Sequence, residues 1–210
     1  MIKIHHIEAR SYVDGPGERT TLFMQGCPIH CPGCQNKALW PAEGGMAVDE
    51  NQLAITLSTL ADHHGNVTIS GGEPFAQTAS LAKLLKALRG YGVRNIIVYS
   101  GYTWEALTNP INGSWLWVQE ALGHIDVLVD GPFDVSRDND YINWRGSENQ
   151  RPIDVQASLQ SKALITLDWS EPEVTITPDG DLVLPRGLAQ ELVEVGEVEV
   201  SRMCGQITSM

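Results

Sequence analysis

The 210-residue chain lacks several features that would place it in a common class of protein. It has no apolar run near the roughly 20 residues that a membrane-spanning helix needs, so a membrane protein is not expected. Its 14 Lys and Arg residues are outnumbered by 26 Asp and Glu residues, which gives a net charge of −12. Because nucleic acids and anionic membranes bind clustered basic residues, we expect neither as a partner.

The first residues also lack the apolar core and the small-residue cleavage site of a secretory signal. We therefore expect a cytoplasmic protein, in which thiols stay reduced. Cysteine is scarce, yet three of the four cysteines, Cys27, Cys31 and Cys34, lie close together in the sequence. In a reducing compartment this clustering is typical of metal ligands or catalytic thiols rather than of disulfides.

Short apolar strands alternate with amphipathic helices over the first 158 residues. This alternation is typical of parallel βα units, whose functional residues lie at the carboxyl ends of the strands. Since a complete eight-stranded barrel has about 250 residues, we expect an α/β fold with a partial, open βα barrel. The predicted strands are 2–8, 20–25, 66–70, 95–100 and 124–131, and the predicted helices are 49–62, 78–90 and a short one within 100–107.

The composition changes after about residue 158, so we divide the chain into a core, 1–158, and a β-rich C-terminal extension of unknown role, 159–210. Within the extension, 174–185 reads as a hairpin that turns on Asp179-Gly180. A short helix is predicted over 186–196. The last residues, which include Cys204, are expected to be loose.

The C-x3-C-x2-C spacing allows three interpretations. A structural zinc ion needs four ligands and would have to recruit His30 or the remote Cys204. A redox pair of Cys31 and Cys34 has the C-x-x-C spacing of disulfide oxidoreductases, but it leaves Cys27 without a role. A [4Fe–4S] cluster held by only three thiolates would leave one iron open to a substrate.

Three strand ends carry further candidate binding residues. Glycines that follow a strand expose backbone carbonyls to a ligand's ammonium group, and Ser or Asp at such an edge can hold ribose hydroxyls, although each segment could also be an ordinary turn. The candidates are Gly71, Gly72, Glu73 and Pro74 after the first strand, Ser100 and Gly101 after the second, and Asp130 after the third.

The sequence contains six blocks that together resemble the radical S-adenosylmethionine (SAM) superfamily. More narrowly, they resemble the activating proteins of glycyl radical enzymes, including the activases of anaerobic ribonucleoside-triphosphate reductase. The resemblance covers about 10–155. The blocks are VDGPGERTTLFMQGC, CQN, SGGEP, YSGYT, DVLVDGPF and WRGSENQR.

The resemblance implies a [4Fe–4S] cluster whose open iron is chelated by the amino and carboxylate groups of SAM. Reductive cleavage of SAM would give a 5′-deoxyadenosyl radical, which takes a hydrogen atom from a glycine of a large partner enzyme. A low-potential electron donor such as flavodoxin is also implied. The alternatives are a radical SAM enzyme with a different small-molecule or peptide substrate, and a non-catalytic zinc or iron–sulfur binding module.

The resemblance also implies roles for individual residues. Cys27, Cys31 and Cys34 would bind the cluster, and no catalytic side chain beyond these ligands is expected. The segment Gly71–Pro74 would contact the amino group of SAM. The residues expected towards the adenine end and near the cluster are Gly33, Cys34, Gln35 and Asn36.

The resemblance further implies what a few other residues of these blocks do, and which contacts are missing in this chain. Asp14 and Arg19 are expected to line the open side of the site. Pro132 occupies a place where relatives often have a basic residue, so a charge contact from that position is not expected. Gly33 stands where many relatives have an aromatic residue, so stacking from that position is lost.

Overall fold

The computed structural model describes residues 1–111, 113–169 and 175–183, which form a mixed α/β structure around one seven-stranded sheet. The strands of this sheet are β1 (Ile2–Ser11), β2 (Arg19–Met24), β3 (Met46–Val48), β4 (Asn66–Gly71), β5 (Asn95–Tyr99), β6 (Val127–Asp130) and β7 (Arg151–Asp154). The helices are α1 (Glu50–Leu60), α2 (Thr78–Gly90), α3 (Trp104–Leu107), α4 (Trp115–Leu122) and α5 (Val155–Ser161).

The strand order is β3-β1-β2-β4-β5-β6-β7. The four central strands β2, β4, β5 and β6 are parallel, which confirms an α/β fold with a parallel-rich sheet. The outer pairs are antiparallel: β1 with β2, β1 with β3, and β6 with β7. The sequence did not predict β3 and β7, because strands of three and four residues carry too short an apolar pattern to be recognised.

The predicted helices 49–62 and 78–90 agree with α1 and α2 to within two residues. Helix α1 begins after Asp49, whose carboxylate accepts hydrogen bonds from Asn51 N and Gln52 N, both at 3.0 Å. Helix α2 covers the predicted 78–90 and follows Gln77, whose side chain makes no capping hydrogen bond. Helix α4 was not predicted.

The two faces of the sheet are covered differently. Along β5, Ile96 and Val98 belong to the main core, which includes buried residues of α1, α2 and α4. Ile97 lies between them, so its side chain points to the opposite face, where it packs with Val127 and Val129 of β6. We call this opposite face the second face.

The C-terminal extension covers part of the second face. Its segment 163–169 runs beside β7, with Asp154 N donating to Ile165 O at 2.9 Å and Leu167 N donating to Pro152 O at 2.7 Å. Leu167 and Trp169 then pack against the cluster on the second face. The predicted boundary after residue 158 falls inside α5.

The predicted hairpin of the extension is confirmed. Strands β8 (Thr175–Ile176) and β9 (Leu182–Val183) pair antiparallel, and Gly180 in the turn has a φ of 90°, which favours glycine. The predicted helix over 186–196 and Cys204 lie outside the described residues. Among the described residues, no helix has both the length and the apolar character needed to cross a membrane.

Candidate active site at the carboxyl edge of the sheet

The three cysteines lie on the loop that follows β2. Each is half-buried, and none forms a disulfide. The chain returns to close this loop, since Gly26 N donates to Leu39 O at 2.8 Å and Cys27 N donates to Trp40 O at 3.0 Å. His30 stacks on Trp40 with ring centroids 4.6 Å apart. The loop is therefore fixed at its base while its thiols stay partly accessible.

The electrostatics of the thiols suit metal ligation. Burial raises the pKa of Cys31, and the nearby thiols of Cys34 and Cys27 raise it further, whereas a backbone hydrogen bond at Phe133 acts in the opposite direction. Asn36 N donates to Cys34 Sγ at 3.4 Å. Because neighbouring thiols resist ionising together, a bound cationic metal would stabilise all three thiolates.

The number of ligands on the loop bears on two of the metal interpretations. A structural zinc ion needs four protein ligands, and the loop offers three thiols. Iron–sulfur clusters are held by thiolates, and three of them would suffice for a cluster that has one iron open to a substrate. The three-cysteine loop therefore fits a [4Fe–4S] cluster.

The glycines after β4 are packed against the start of the cysteine loop. Gly72 N donates to Met24 O and Glu73 N donates to Gly26 O, both at 2.9 Å. A β-carbon on Gly71 or Gly72 would collide with the backbone of Met24 or Gly26, so no larger residue fits at either position. The end of β4 and the beginning of the cysteine loop are thus held in one arrangement.

The carboxylate of Glu73 accepts hydrogen bonds from three protein donors. These are Phe75 N at 2.8 Å, Ser100 Oγ at 3.0 Å and Gly101 N at 2.8 Å. Only 1% of Glu73 is exposed, and this burial raises the pKa of Glu73 to about 7. Pro74, the next residue, is also buried and begins a 3-10 turn. The structure thus brings the predicted residues Glu73, Ser100 and Gly101 into contact with one another.

Gly101 also approaches the cysteine loop. A β-carbon on Gly101 would lie 2.5 Å from Cδ1 of Ile29, which is located between Cys27 and Cys31, and 3.6 Å from Oε2 of Glu73. The cysteine loop, the segment after β4 and the segment after β5 therefore meet at one place. This meeting point is what parallel strands with a common carboxyl edge are expected to produce.

Asp130 at the end of β6 is fully buried and has protein partners on both oxygens. Arg151 donates from Nε to Oδ1 at 2.9 Å and from Nη2 to Oδ2 at 2.6 Å, and Trp104 N donates to Oδ2 at 2.6 Å. Arg151 also pairs with Glu105, and these hydrogen bonds raise the pKa of Arg151. The geometry favours an ion pair that supports the fold, and the ribose contact of Asp130 stays a prediction.

Gly33 lies at the exposed tip of the cysteine loop with a φ of 78°, a conformation that favours glycine. A β-carbon there would lie 3.2 Å from side-chain atoms of Phe133 and Val135. Gln35 and Asn36 are exposed. Their contacts with a cosubstrate stay predictions. Sequence reasoning missed Val135 and Phe133, although Phe133 is the last residue of the DVLVDGPF block.

The prediction that Arg19 lines the open side of the site is wrong. Arg19 begins β2, at the end of the sheet opposite to the cysteines, and is 1% exposed. It donates to Thr68 Oγ1 at 2.6 Å, Val67 O at 2.9 Å and Asn95 Oδ1 at 2.9 Å. Burial lowers the pKa of Arg19 to about 10. Asp14 lies at the same end, where its carbonyl accepts a hydrogen bond from Thr68.

The residues Glu18, His63 and His64 also form a group with ligand atoms within 4.8 Å of one another. Glu18 already accepts hydrogen bonds from Arg10 Nε and His63 Nε2, both at 2.9 Å. His64 Nδ1 accepts a hydrogen bond from Asn66 N at 3.0 Å, so its other nitrogen carries the proton and has no lone pair for a metal. This group is a hydrogen-bonded cluster and not a second metal site.

A three-cysteine loop at the carboxyl edge of parallel strands, with glycine-rich segments around it, defines an α/β iron–sulfur protein. A family model described as a 4Fe-4S single cluster domain matches residues 13–153, and the chain belongs to this family. Its cofactor is therefore a [4Fe–4S] cluster. The match ends within β7, so the C-terminal extension lies beyond it.

Several relatives of this chain are activating proteins. The anaerobic ribonucleoside-triphosphate reductase-activating protein of Escherichia coli K12 is 33% identical over 144 residues, 66% of this chain and 89% of its own length. The protein of the same name from Salmonella typhimurium is 30% identical over 155 residues, which are 71% of this chain and 96% of its own length. The pyruvate formate-lyase-activating enzyme of Clostridium pasteurianum is 37% identical over 133 residues, 61% of this chain and 51% of its own.

These relatives confirm the resemblance to activating proteins of glycyl radical enzymes. Among solved structures, that of QueE from Escherichia coli superimposes with a TM-score of 0.34 and 20% sequence identity. The superposition covers 49% of this chain and 53% of that one.

Proposed function

We propose that the protein is a radical SAM activating enzyme that cleaves SAM reductively and generates a glycyl radical on a partner enzyme. The observation that carries this proposal is the similarity to activating proteins over two thirds of the chain, with the three-cysteine loop inside the matched region. The partner is a glycyl radical enzyme similar to anaerobic ribonucleotide reductase. The electron donor is a low-potential protein such as flavodoxin.

Cys27, Cys31 and Cys34 are the residues that would hold the cluster in this proposal. When bound, the cluster would supply the electron for the reductive cleavage of SAM beside these thiolates. The loop is closed at its base by the hydrogen bonds from Gly26 and Cys27, so the three thiols are arranged before the cosubstrate arrives. This arrangement lowers the entropy cost of bringing the reacting groups together.

Gly71 and Gly72 present backbone to the amino group of SAM, while the side chain of Glu73 positions this segment. Glu73 does so by joining the ends of β4 and β5 through its bonds to Ser100 and Gly101. Its carboxylate is used by these donors, so direct contact with the cosubstrate falls to the backbone. No side-chain acid or base is required, since the reaction moves an electron and a hydrogen atom.

The proposal extends to the architecture and the setting of the protein. We place the parallel strands β2, β4, β5 and β6 in an open, partial βα barrel of radical SAM type. An open barrel lets a loop of the partner reach the carboxyl edge, where the cysteines lie. A cytoplasmic location suits the reduced thiols and the low-potential donor.

Anaerobic reconstitution tests the proposed function. The protein is loaded with iron and sulfide, reduced with dithionite and given SAM, and 5′-deoxyadenosine is measured. We then expect a glycyl doublet in the electron paramagnetic resonance spectrum when an anaerobic ribonucleotide reductase is added. A protein that carries the cluster but never cleaves SAM would contradict the proposal. Cleavage of SAM without any glycyl signal would instead point to a small-molecule or peptide substrate, the alternative that Pro132 and the C-terminal extension favour.

A further inference from the structure

Phe133 lies beside the tip of the cysteine loop, and the proposed function assigns no role to its side chain. The chain leaves β6 through Gly131, which has a φ of 102°, and crosses to the cysteine loop. A β-carbon on Gly33 would lie 3.2 Å from Cε1 of Phe133, and one on Gly146 would lie 2.9 Å from Cδ2 on the other side of the ring. The ring therefore occupies a position between two residues that have no side chains.

The backbone around Phe133 is held in place by side chains from the following loop. Asn149 Nδ2 donates to Pro132 O at 2.7 Å, and Gln150 Nε2 donates to Gly131 O at 3.1 Å. Directly after Phe133 in the sequence, Asp134 N donates to Ser147 Oγ at 3.1 Å. The backbone on both sides of Phe133 is thus fixed by hydrogen bonds.

Phe133 differs from the other half-buried aromatic residues near this edge, because each of those packs against the core or another ring. Phe133 belongs to neither hydrophobic cluster of the described residues, and no ring is stacked on it there. The others are Phe23, stacked with His6; Trp40, stacked with His30; Tyr102 and Trp104, packed on the main core; and Trp144, packed on Trp169.

We propose that Phe133 is the platform against which the purine base of the cosubstrate lies. The inference deepens the proposed function and rests on it. A nucleoside bound next to the cysteine loop places a flat, weakly polar base within reach of the loop tip. An aromatic ring held rigidly there binds such a base with little loss of conformational entropy. The ring also comes from a different loop than the cysteines, so it can contact the base without straining the cluster.

Equilibrium binding to the cluster-loaded protein tests this role. The ligands are SAM, which carries the purine, and methionine, which has the same amino and carboxylate groups but no base. We expect Phe133→Ala to weaken SAM binding about tenfold, as loss of base–aromatic stacking does, and to leave methionine binding unchanged. Phe133→Tyr should bind SAM like the unaltered protein. Dissociation constants from calorimetry, at equal iron content per chain, provide the measurement.

A second variant perturbs the ring without removing it. Gly146→Ala adds a methyl group 2.9 Å from the ring and leaves the cysteine loop untouched, so SAM binding should weaken severalfold. Gly90→Ala is the matched control, because nothing lies within 4 Å of the added carbon. Trp117→Ala removes an aromatic ring that is 44% exposed on α4 and should change neither constant.

Two outcomes would overturn the inference: Phe133→Ala binding SAM as tightly as the unaltered protein, or losing SAM and methionine equally. The second outcome would mean that the ring only supports the cysteine loop. These results are distinct from a failure of the proposed function. In that case SAM binding depends on Phe133, but no glycyl radical forms on the partner.

Discussion

The two ends of the parallel strands are built from different chemistry. At the carboxyl edge, the loops carry cysteine and glycine. They are joined by backbone hydrogen bonds and by the buried carboxylates of Glu73 and Asp130. At the amino edge, side chains make the connections. There Arg19 crosses to Thr68 and Asn95, and Glu18 bonds to Arg10.

We infer that the carboxyl edge serves the reaction, whereas the amino edge serves the stability of the fold. Between the end of β4 and the cysteine loop, the contacts at Gly71 and Gly72 are made by backbone atoms, and a side chain at either position would collide with that loop. The amino edge has no such requirement, and a buried Arg19 can be surrounded by acceptors. We therefore expect substitutions at the carboxyl edge to change the reaction first, and those at the amino edge to change the free energy of unfolding first.

The largest expected effect is that of Cys27→Ser. A serine hydroxyl is a poor ligand for iron, so the iron and sulfide content should fall sharply and SAM cleavage should drop to the level of cluster-free protein. The free energy of unfolding of the metal-free chain should change little. Cys204→Ser is the matched control and should retain the full cluster. A complete cluster in Cys27→Ser would contradict the expectation that the carboxyl edge carries the residues that the reaction needs.

The next effect is at the amino edge. Arg19→Met removes every donor of a side chain that is 1% exposed, so the buried acceptors Thr68 Oγ1 and Val67 O lose the hydrogen bonds that Arg19 donates. We expect the free energy of unfolding in urea to fall by about 4 kcal/mol. SAM cleavage per cluster should stay unchanged in the folded protein. Arg94→Met, at an exposed position, should shift stability far less; an equal loss in both variants would contradict the assigned role of Arg19.

The smallest effect concerns Glu73, which belongs to the reacting edge but also affects stability. Burial raises the pKa of Glu73 to about 7 from 4.5, so the folded chain keeps this proton to higher pH than the unfolded chain. The contribution of protonated Glu73 to the free energy of unfolding is fully present below about pH 4.5. It is lost as the pH rises through about 7, and this loss amounts to about 3 kcal/mol.

Glu73→Gln should remove this pH dependence of the free energy of unfolding, because glutamine does not titrate. Urea unfolding of the cluster-loaded protein between these two pH values provides the measurement. Glu43→Gln, at an exposed position, should keep the pH dependence of the unaltered chain. If Glu73→Gln retains this pH dependence, another group is responsible for it, and Glu73 is not the titrating link between β4 and β5.

Much of the fold could be predicted because its central elements have strong local patterns. The apolar runs of β4 and β5 and the leucine periodicity of α2 depend only on neighbouring residues. The direction of β1, the short strands β3 and β7, and the segment that covers the second face depend on pairing with distant residues. Local patterns carry no information about such pairing.

The sequence by itself determined that three thiols meet on one short loop, because their spacing brings them together whatever surrounds them, and its resemblance to a known family indicated an iron–sulfur cluster there. Only the tertiary structure decided what each further polar residue does. It brought the Glu73 carboxylate to Ser100 and Gly101, paired Asp130 with Arg151, placed Arg19 at the far end of β2 and brought Phe133 to the loop tip. A side chain's partner is set by which strand ends lie together in space, and that depends on the whole sheet.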